Sequence, residues 1–292
     1  MARASGSTAK QKFAALNLAA LLLGNAVLAC GPWLVRLADT GPVSAGFWRL
    51  ALPIPVFAAL VWWSRGSVRL DRRLFALGAG AGLFFALDIG SWHVGIERTR
   101  LGNAVLFGNA GSLVLMGWGL FRLGRAAAPR DYIAVVAALT GGAILLGRSL
   151  SLSPANFIGD LFCLFAGLCY AFYLLPAQAA RAVSSPAAVL LIVCCVAAPV
   201  LLAMALLAGE PVLPGPAGWG PLVLLALSSQ LVGQGLLVFA LRHFSALVIG
   251  LALMTQPVVA SLIGRQVFGE ALTPLDMLGM MLVGAGLVFA RR

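Results

Sequence analysis

Ten stretches of roughly 20 consecutive apolar residues leave this chain few ways to fold. They run at 13–35, 43–63, 74–96, 101–121, 131–147, 157–180, 186–208, 218–240, 246–267 and 274–290. In lipid, every backbone amide must be satisfied within the chain, so such a run is either a helix or part of a closed barrel. Barrel strands are alternating segments of about 9–11 residues, whereas these runs are continuous and rich in Leu and Ala. The expected fold class is an all-α membrane protein of ten transmembrane helices, numbered here as spans 1–10. The links between runs are short and leave no room for an extramembrane domain. With 61% hydrophobic and 10% charged residues, against about 25% charged in soluble domains, the chain is excluded as a soluble enzyme, a disordered protein, a coiled coil or a secreted disulfide scaffold.

The net charge of +11 reads as a basic membrane face and not as a nucleic-acid site. With the N-terminus in the cytoplasm, 14 of the 20 Lys and Arg fall in inside segments, five fall outside (Arg36, Arg98, Arg100, Arg148 and Arg265), and Arg49 lies within span 2. Both termini are therefore expected to be cytoplasmic. The basic stretch Met1 to Lys12 precedes an apolar run too long for a signal peptide. The five cysteines, Cys30, Cys163, Cys169, Cys194 and Cys195, lie inside spans without metal or CxxC spacing and read as small packing residues.

A shift of 145 residues superposes one half of the chain on the other. Gly124 falls on Gly269, Pro129 on Pro274, Asp131 on Asp276, Gly141 on Gly286, Leu106 on Leu251 and Val114 on Val259. Two units are expected, 1–150 and 151–292, each of five spans. Because five is odd, the second unit enters the membrane from the opposite side. Such inverted repeats are a recurring design of secondary transporters, with the substrate near the midplane between them.

The segment Ala240-Leu241-Arg242-His243-Phe244-Ser245-Ala246, followed by Gln256-Pro257 and then Phe268-Gly269-Glu270-Ala271-Leu272-Thr273-Pro274, resembles the second EamA-type repeat of the drug/metabolite transporter superfamily. Phe47-Trp48-Arg49-Leu50 stands where the first repeat of that family carries an arginine motif. The first repeat departs from the pattern at Arg125, where Glu is usual, and at Ser112, where a mid-helix proline is usual, so the family's glutamate maps only onto Glu270. Within the superfamily the chain is most similar to bacterial exporters of aromatic amino acids. The resemblance implies a secondary or facilitative transporter in the bacterial inner membrane, working by alternating access. It also implies a small amphipathic substrate such as a hydrophobic or aromatic amino acid.

No catalytic or metal constellation and no phosphate loop is present, so neither an enzyme nor a cofactor is expected. Polar groups at membrane depth are costly and face a cavity or a partner. Asp88 is the clearest, read as the only acid well inside a span, with Ser91, Trp92 and His93 after it. It either binds a substrate ammonium or a coupling proton, or makes a structural hydrogen bond. The remaining path-lining candidates are Asn17 and Asn25 in span 1, Asn109 and Ser112 in span 4, and Tyr170 and Tyr173 in span 6. To these are added Gln230 and Gln234 in span 8, and Thr255, Gln256 and Pro257 in span 9. Spans 2, 5, 7 and 10 are poorer in such groups, Arg49 apart, and are expected at the periphery. Trp62, Trp63, Trp33 and Trp219 read as interface anchors, and Trp92 and Trp118 as deeper rings. The expected partners are a small-molecule substrate and the bilayer, with the chain acting as a monomer. A membrane-embedded enzyme and an exporter of cationic drugs are the competing readings.

Overall fold

The computed structural model describes residues 2–29, 31–64, 71–99, 101–147, 154–268 and 272–290. Among the described residues every regular element is helical. Span 1 is Ala2–Leu28 with a short continuation, Gly31–Leu37, and span 2 is Pro42–Ala51 with Ile54–Trp63. Span 3 is Arg72–Arg98, span 4 is Leu101–Gly108 with Ala110–Leu123, and span 5 is Pro129–Gly147. Span 6 is Pro154–Arg181 and span 7 is Pro186–Leu207. Span 8 is Trp219–Leu225, a π-helical stretch Ala226–Gln234, and Gly235–Ala240; span 9 is Ala246–Leu253 with Gln256–Phe268; span 10 is Pro274–Phe289.

Seven of these segments, in spans 1–4 and 6–8, are long and apolar enough to cross a bilayer, while Ala246–Val259 and Pro274–Phe289 are shorter apolar helices. The apolar runs are continuous in the sequence, yet several are interrupted in the structure for local reasons. Span 2 breaks at Leu52–Pro53, where Pro53 and Pro55 lack backbone donors. Span 4 breaks at Asn109, whose amide Nδ2 donates to its own Val105 carbonyl at 2.7 Å. Span 9 breaks at Met254–Thr255, just ahead of Pro257, and there the Thr255 hydroxyl donates to the Ala252 carbonyl at 2.6 Å.

Helix starts follow the residues that cap them. The Asp71 carboxylate accepts from the Leu74 amide at 2.6 Å at the head of span 3, and Ser185 and Ser245 cap spans 7 and 9. Thr273 and Asp276 form a reciprocal capping box on span 10. At the head of span 5, Asp131 accepts from the Ala128 amide at 2.8 Å, and at the head of span 10 Asp276 accepts from the Thr273 amide at the same distance.

The most extensive packing joins span 3 with 6, 5 with 10, 2 with 7, 4 with 6, 1 with 8, 3 with 7 and 4 with 9. Small residues set the closest approaches, as is usual where lipid supplies no hydrophobic drive between helices. A Cβ on Gly141 of span 5 would lie 2.5 Å from the Gly279 carbonyl of span 10, and one on Gly286 of span 10 would lie 2.7 Å from the Ala134 carbonyl of span 5. Outside this core the surface is apolar: Leu161, Phe165, Leu168 and Phe172 form one exposed stripe along span 6. Trp62 and Trp63 are more than four-fifths exposed at the end of span 2, as anchors would be, and Trp118 points outward and not to the interior. Cys163, Cys169 and Cys194 are buried packing residues; Cys195 is exposed, and Cys30 lies outside the described residues.

Candidate functional site

Span 3 runs unbroken for 27 residues, so Phe85, Asp88, Ile89 and Trp92 form one stripe at helical spacing. That stripe is one wall of a cavity of about 90 Å3, counted as room for water centres. Leu28 and Ala29 of span 1, Arg49 of span 2, and Ala104, Val105, Gly108 and Asn109 of span 4 contribute further walls. Tyr170 of span 6, Gln234 of span 8 and Gln256 of span 9 complete the lining. The interruption of span 4 thus lies in the wall, and Gln256 follows directly after that of span 9.

The cavity carries one carboxylate, Asp88, and one guanidinium, Arg49. Arg49 is 4% exposed and its Nε has no hydrogen-bond partner. The two side chains feel each other's charge, yet among the described residues no hydrogen bond or ion pair joins them. The rest of the lining is apolar, aromatic or amide.

Three polar clusters hold the walls. The Tyr173 hydroxyl donates to Gln234 Oε1 at 3.1 Å, and Gln234 Nε2 donates to the Tyr170 hydroxyl at 3.3 Å. Tyr173 itself is fully buried and stacks on Phe85 with ring centroids 4.3 Å apart. Between spans 1 and 9, Asn25 Nδ2 donates to the Ala252 carbonyl at 2.8 Å and to the Thr255 hydroxyl at 2.6 Å, while Gln256 Nε2 donates to Asn25 Oδ1 at 2.8 Å. Span 1 is thereby fastened to the interruption of span 9. The third cluster is Asn109 with Ser112, whose hydroxyl donates to Asn109 Oδ1 at 3.4 Å.

Of the residues singled out in the sequence, Asp88, Trp92, Asn109, Tyr170, Gln234 and Gln256 line the cavity. Tyr173, Ser112 and Asn25 hydrogen-bond Gln234, Asn109 and Gln256 respectively, and Thr255 bonds Asn25 in turn. His93 is fully buried, with Nδ1 2.7 Å from the Pro42 carbonyl at the head of span 2. Gln230 donates to Cys194 Sγ at 3.4 Å, against span 7. Asn17 is half-buried, and Ser91 and Pro257 are buried, all three away from the lining. Glu270 lies outside the described residues. Sequence reasoning placed span 2 at the periphery, and Arg49 corrects this; the signal was present, since Arg49 is a lone cation inside a span. Asp88 is also not the only buried acid in a span. Asp160 of span 6 accepts from the Thr99 hydroxyl at 2.5 Å and from Asn103 Nδ2 at 2.9 Å. These bonds tie span 6 to the 3–4 connection and the head of span 4, and Asp160 is not part of the cavity lining.

The two ends of the molecule are fastened differently. At one end, Glu210 accepts from the Ser44 amide at 2.8 Å and Trp48 Nε1 donates to the Val212 carbonyl at 2.7 Å, tying the 7–8 connection to the head of span 2. At the other end, Gln178 Nε2 donates to the Phe244 carbonyl at 2.7 Å, and Arg181 donates to the carbonyls of Val238 and Ser184, binding span 6 to the end of span 8. His243 sits in that turn, where partial burial and then the charges of Arg181 and Arg242 lower its pKa below the usual histidine value.

Residues 157–292 match the EamA-like transporter family. The threonine/homoserine exporter RhtA of Escherichia coli (strain K12) is 30% identical over 208 residues, 68% of this chain and 66% of the exporter's own length. The exporter of the same name from Salmonella typhimurium (strain LT2) is 29% identical over 207 residues, again covering 66% of its length. A solved crystal structure at 18% identity superposes with a TM-score of 0.74, covering 96% of this chain and 97% of its own, and shares the fold.

Proposed function

Since the chain belongs to the EamA-like transporter family of the drug/metabolite transporter superfamily, we propose that it exports small neutral amino acids across the bacterial inner membrane by alternating access. The observation that carries this reading is the central cavity. Its walls come from spans 1, 2, 3 and 4 of one half and 6, 8 and 9 of the other. A cavity between two halves that can tilt against each other is what a carrier needs.

The two halves, 1–150 and 151–292, act in this reading as inverted repeats. Several reciprocal features support it. Gly141 meets Gly279 while Gly286 meets Ala134, and each of the pairs Gly141/Gly286 and Ala134/Gly279 is separated by 145 residues. The breaks at Asn109 and Met254, and the capping carboxylates Asp131 and Asp276, keep the same separation. The association of span 3 with 6 has its counterpart in that of span 8 with 1. Both termini then face the cytoplasm, on the side richer in Lys and Arg.

Two substrate readings have support. The amides of Asn109, Gln234 and Gln256 and the Tyr170 hydroxyl suit a hydroxylated side chain such as that of threonine or homoserine, in line with the exporters at 30% identity. The rings of Phe85 and Trp92 favour a second reading, an aromatic amino acid. Proteoliposomes holding only this protein, loaded with unlabelled threonine, should take up labelled threonine by counterflow. Excess external homoserine should compete if the first reading holds, and phenylalanine if the second does. Absence of counterflow with all three amino acids would overturn the export reading.

A further inference from the structure

Arg49 and Asp88 present a physical problem that the fold by itself does not solve. A buried ion costs several kcal/mol unless it is paired and hydrogen-bonded. Arg49 brings five N–H donors, is 4% exposed, and has its Nε sealed from water without a partner. Asp88 is 9% exposed and forms no hydrogen bond among the described residues. Two opposite charges on neighbouring spans that served only to hold the helices would close into a direct pair. Here they are held apart on the walls of one cavity.

We propose that Arg49 and Asp88 form a divided ion pair that reads the backbone of a zwitterionic α-amino acid, Arg49 taking its carboxylate and Asp88 its ammonium. The assignment rests on the export reading above and adds the chemistry of recognition. A guanidinium matches a carboxylate through two parallel hydrogen bonds. Asp88 supplies the opposite charge, and the Trp92 ring, one turn along span 3, lines the same wall where an ammonium would lie. A zwitterion satisfies both side chains at once and adds no net charge to the cavity. Solutes with a net charge leave one of the two unmatched in a low-dielectric site. The apolar and amide walls are then left to sort side chains.

The test is equilibrium binding to the purified full-length protein in lipid nanodiscs, with four probes: L-threonine, L-phenylalanine, L-threonine methyl ester and N-acetyl-L-threonine. The ester lacks the carboxylate charge and the acetylated form lacks the ammonium. Wild-type protein should bind the parent amino acid about 100-fold more tightly than either blocked form, the worth of one charge-assisted contact. Asp88→Asn should weaken threonine but not the acetylated form, and Arg49→Gln should weaken threonine but not the ester. Arg49→Lys, which keeps the charge without the fork, should fall between. If wild-type protein binds the blocked forms as well as threonine, or each variant weakens all probes equally, the divided pair is structural and the proposal fails. If none of the four probes binds, the export reading fails first and the proposal falls with it.

Discussion

Asn25→Leu removes the fastening between span 1 and the interruption of span 9 while leaving a side chain of comparable length. Three hydrogen bonds go with it, at 2.8, 2.6 and 2.8 Å to Ala252, Thr255 and Gln256. Interhelical hydrogen bonds in membrane proteins average about 0.6 kcal/mol each, so the three together are worth about 2 kcal/mol. Asn25 is fully buried, so water does not replace them. The expected result is a loss of about 2 kcal/mol of unfolding free energy in mixed lipid–detergent micelles. A double-mutant cycle with Gln256→Met isolates one of the three bonds and should give a coupling of about 0.6 kcal/mol. Because Gln256 lines the cavity, threonine binding should weaken in the same variant. A stability within about 0.3 kcal/mol of wild type, less than one average bond, together with unchanged binding, would refute the view that this cluster sets the cavity wall.

Gly141→Leu and Gly286→Leu should each destabilise by at least about 1–3 kcal/mol, because the side chain meets a backbone carbonyl of the partner helix. Gly80→Ala, where an added Cβ meets nothing within 4 Å, should be neutral or stabilising by up to about 1 kcal/mol. Thermal unfolding of the three purified variants separates these outcomes. Gln178→Leu removes donors to Leu241 and Phe244 at the end where spans 6 and 8 are tied, and should raise the reactivity of a cysteine placed at Leu237 toward thiol reagents; unchanged reactivity would mean that end is closed by other contacts. The lowered pKa of His243 means that the folded state binds its proton less readily than the unfolded chain. That contribution is complete above the unfolded value and is lost as pH falls through the folded one, so stability should decline slightly on acidification below pH about 6.5. His243→Gln should flatten the decline, and the effect is small because the ring is largely exposed. A cysteine at Arg292 should resist a membrane-impermeant reagent in intact cells, whereas ready labelling would reverse the orientation.

The helical class was legible because apolar runs of this length have one solution in lipid. Asp131 and Asp276, which cap helices, and Gly141 and Gly286, which pack closely, stood out in the sequence because such residues fix chain geometry wherever they occur. The interruptions at Asn109 and Leu52–Pro53 were not read as breaks. An apolar run looks the same whether its helix is continuous or broken, and a proline inside a helix need not interrupt it, as Pro176 and Pro199 illustrate. At the site, six of the polar candidates reach the cavity because mid-span polarity marks a helix face. Arg49 was set aside because its helix is otherwise apolar, and Tyr173 and Gln230 read the same as Tyr170 and Gln234 until packing decides which ones face inward. Phe85 and Val105 carry no signal at all, since an apolar wall residue and a core residue are indistinguishable in sequence.

The central claim is that one cavity, shared by the two halves, carries an amino acid across the membrane. Its most direct test is counterflow of labelled threonine in proteoliposomes containing wild-type protein or Gly108→Phe. The new side chain starts beside Trp92 and fills the cavity from the span 4 wall. The account predicts counterflow for wild type and its loss in a variant that still elutes as a single folded species and still reconstitutes. Full counterflow through the filled cavity would contradict it.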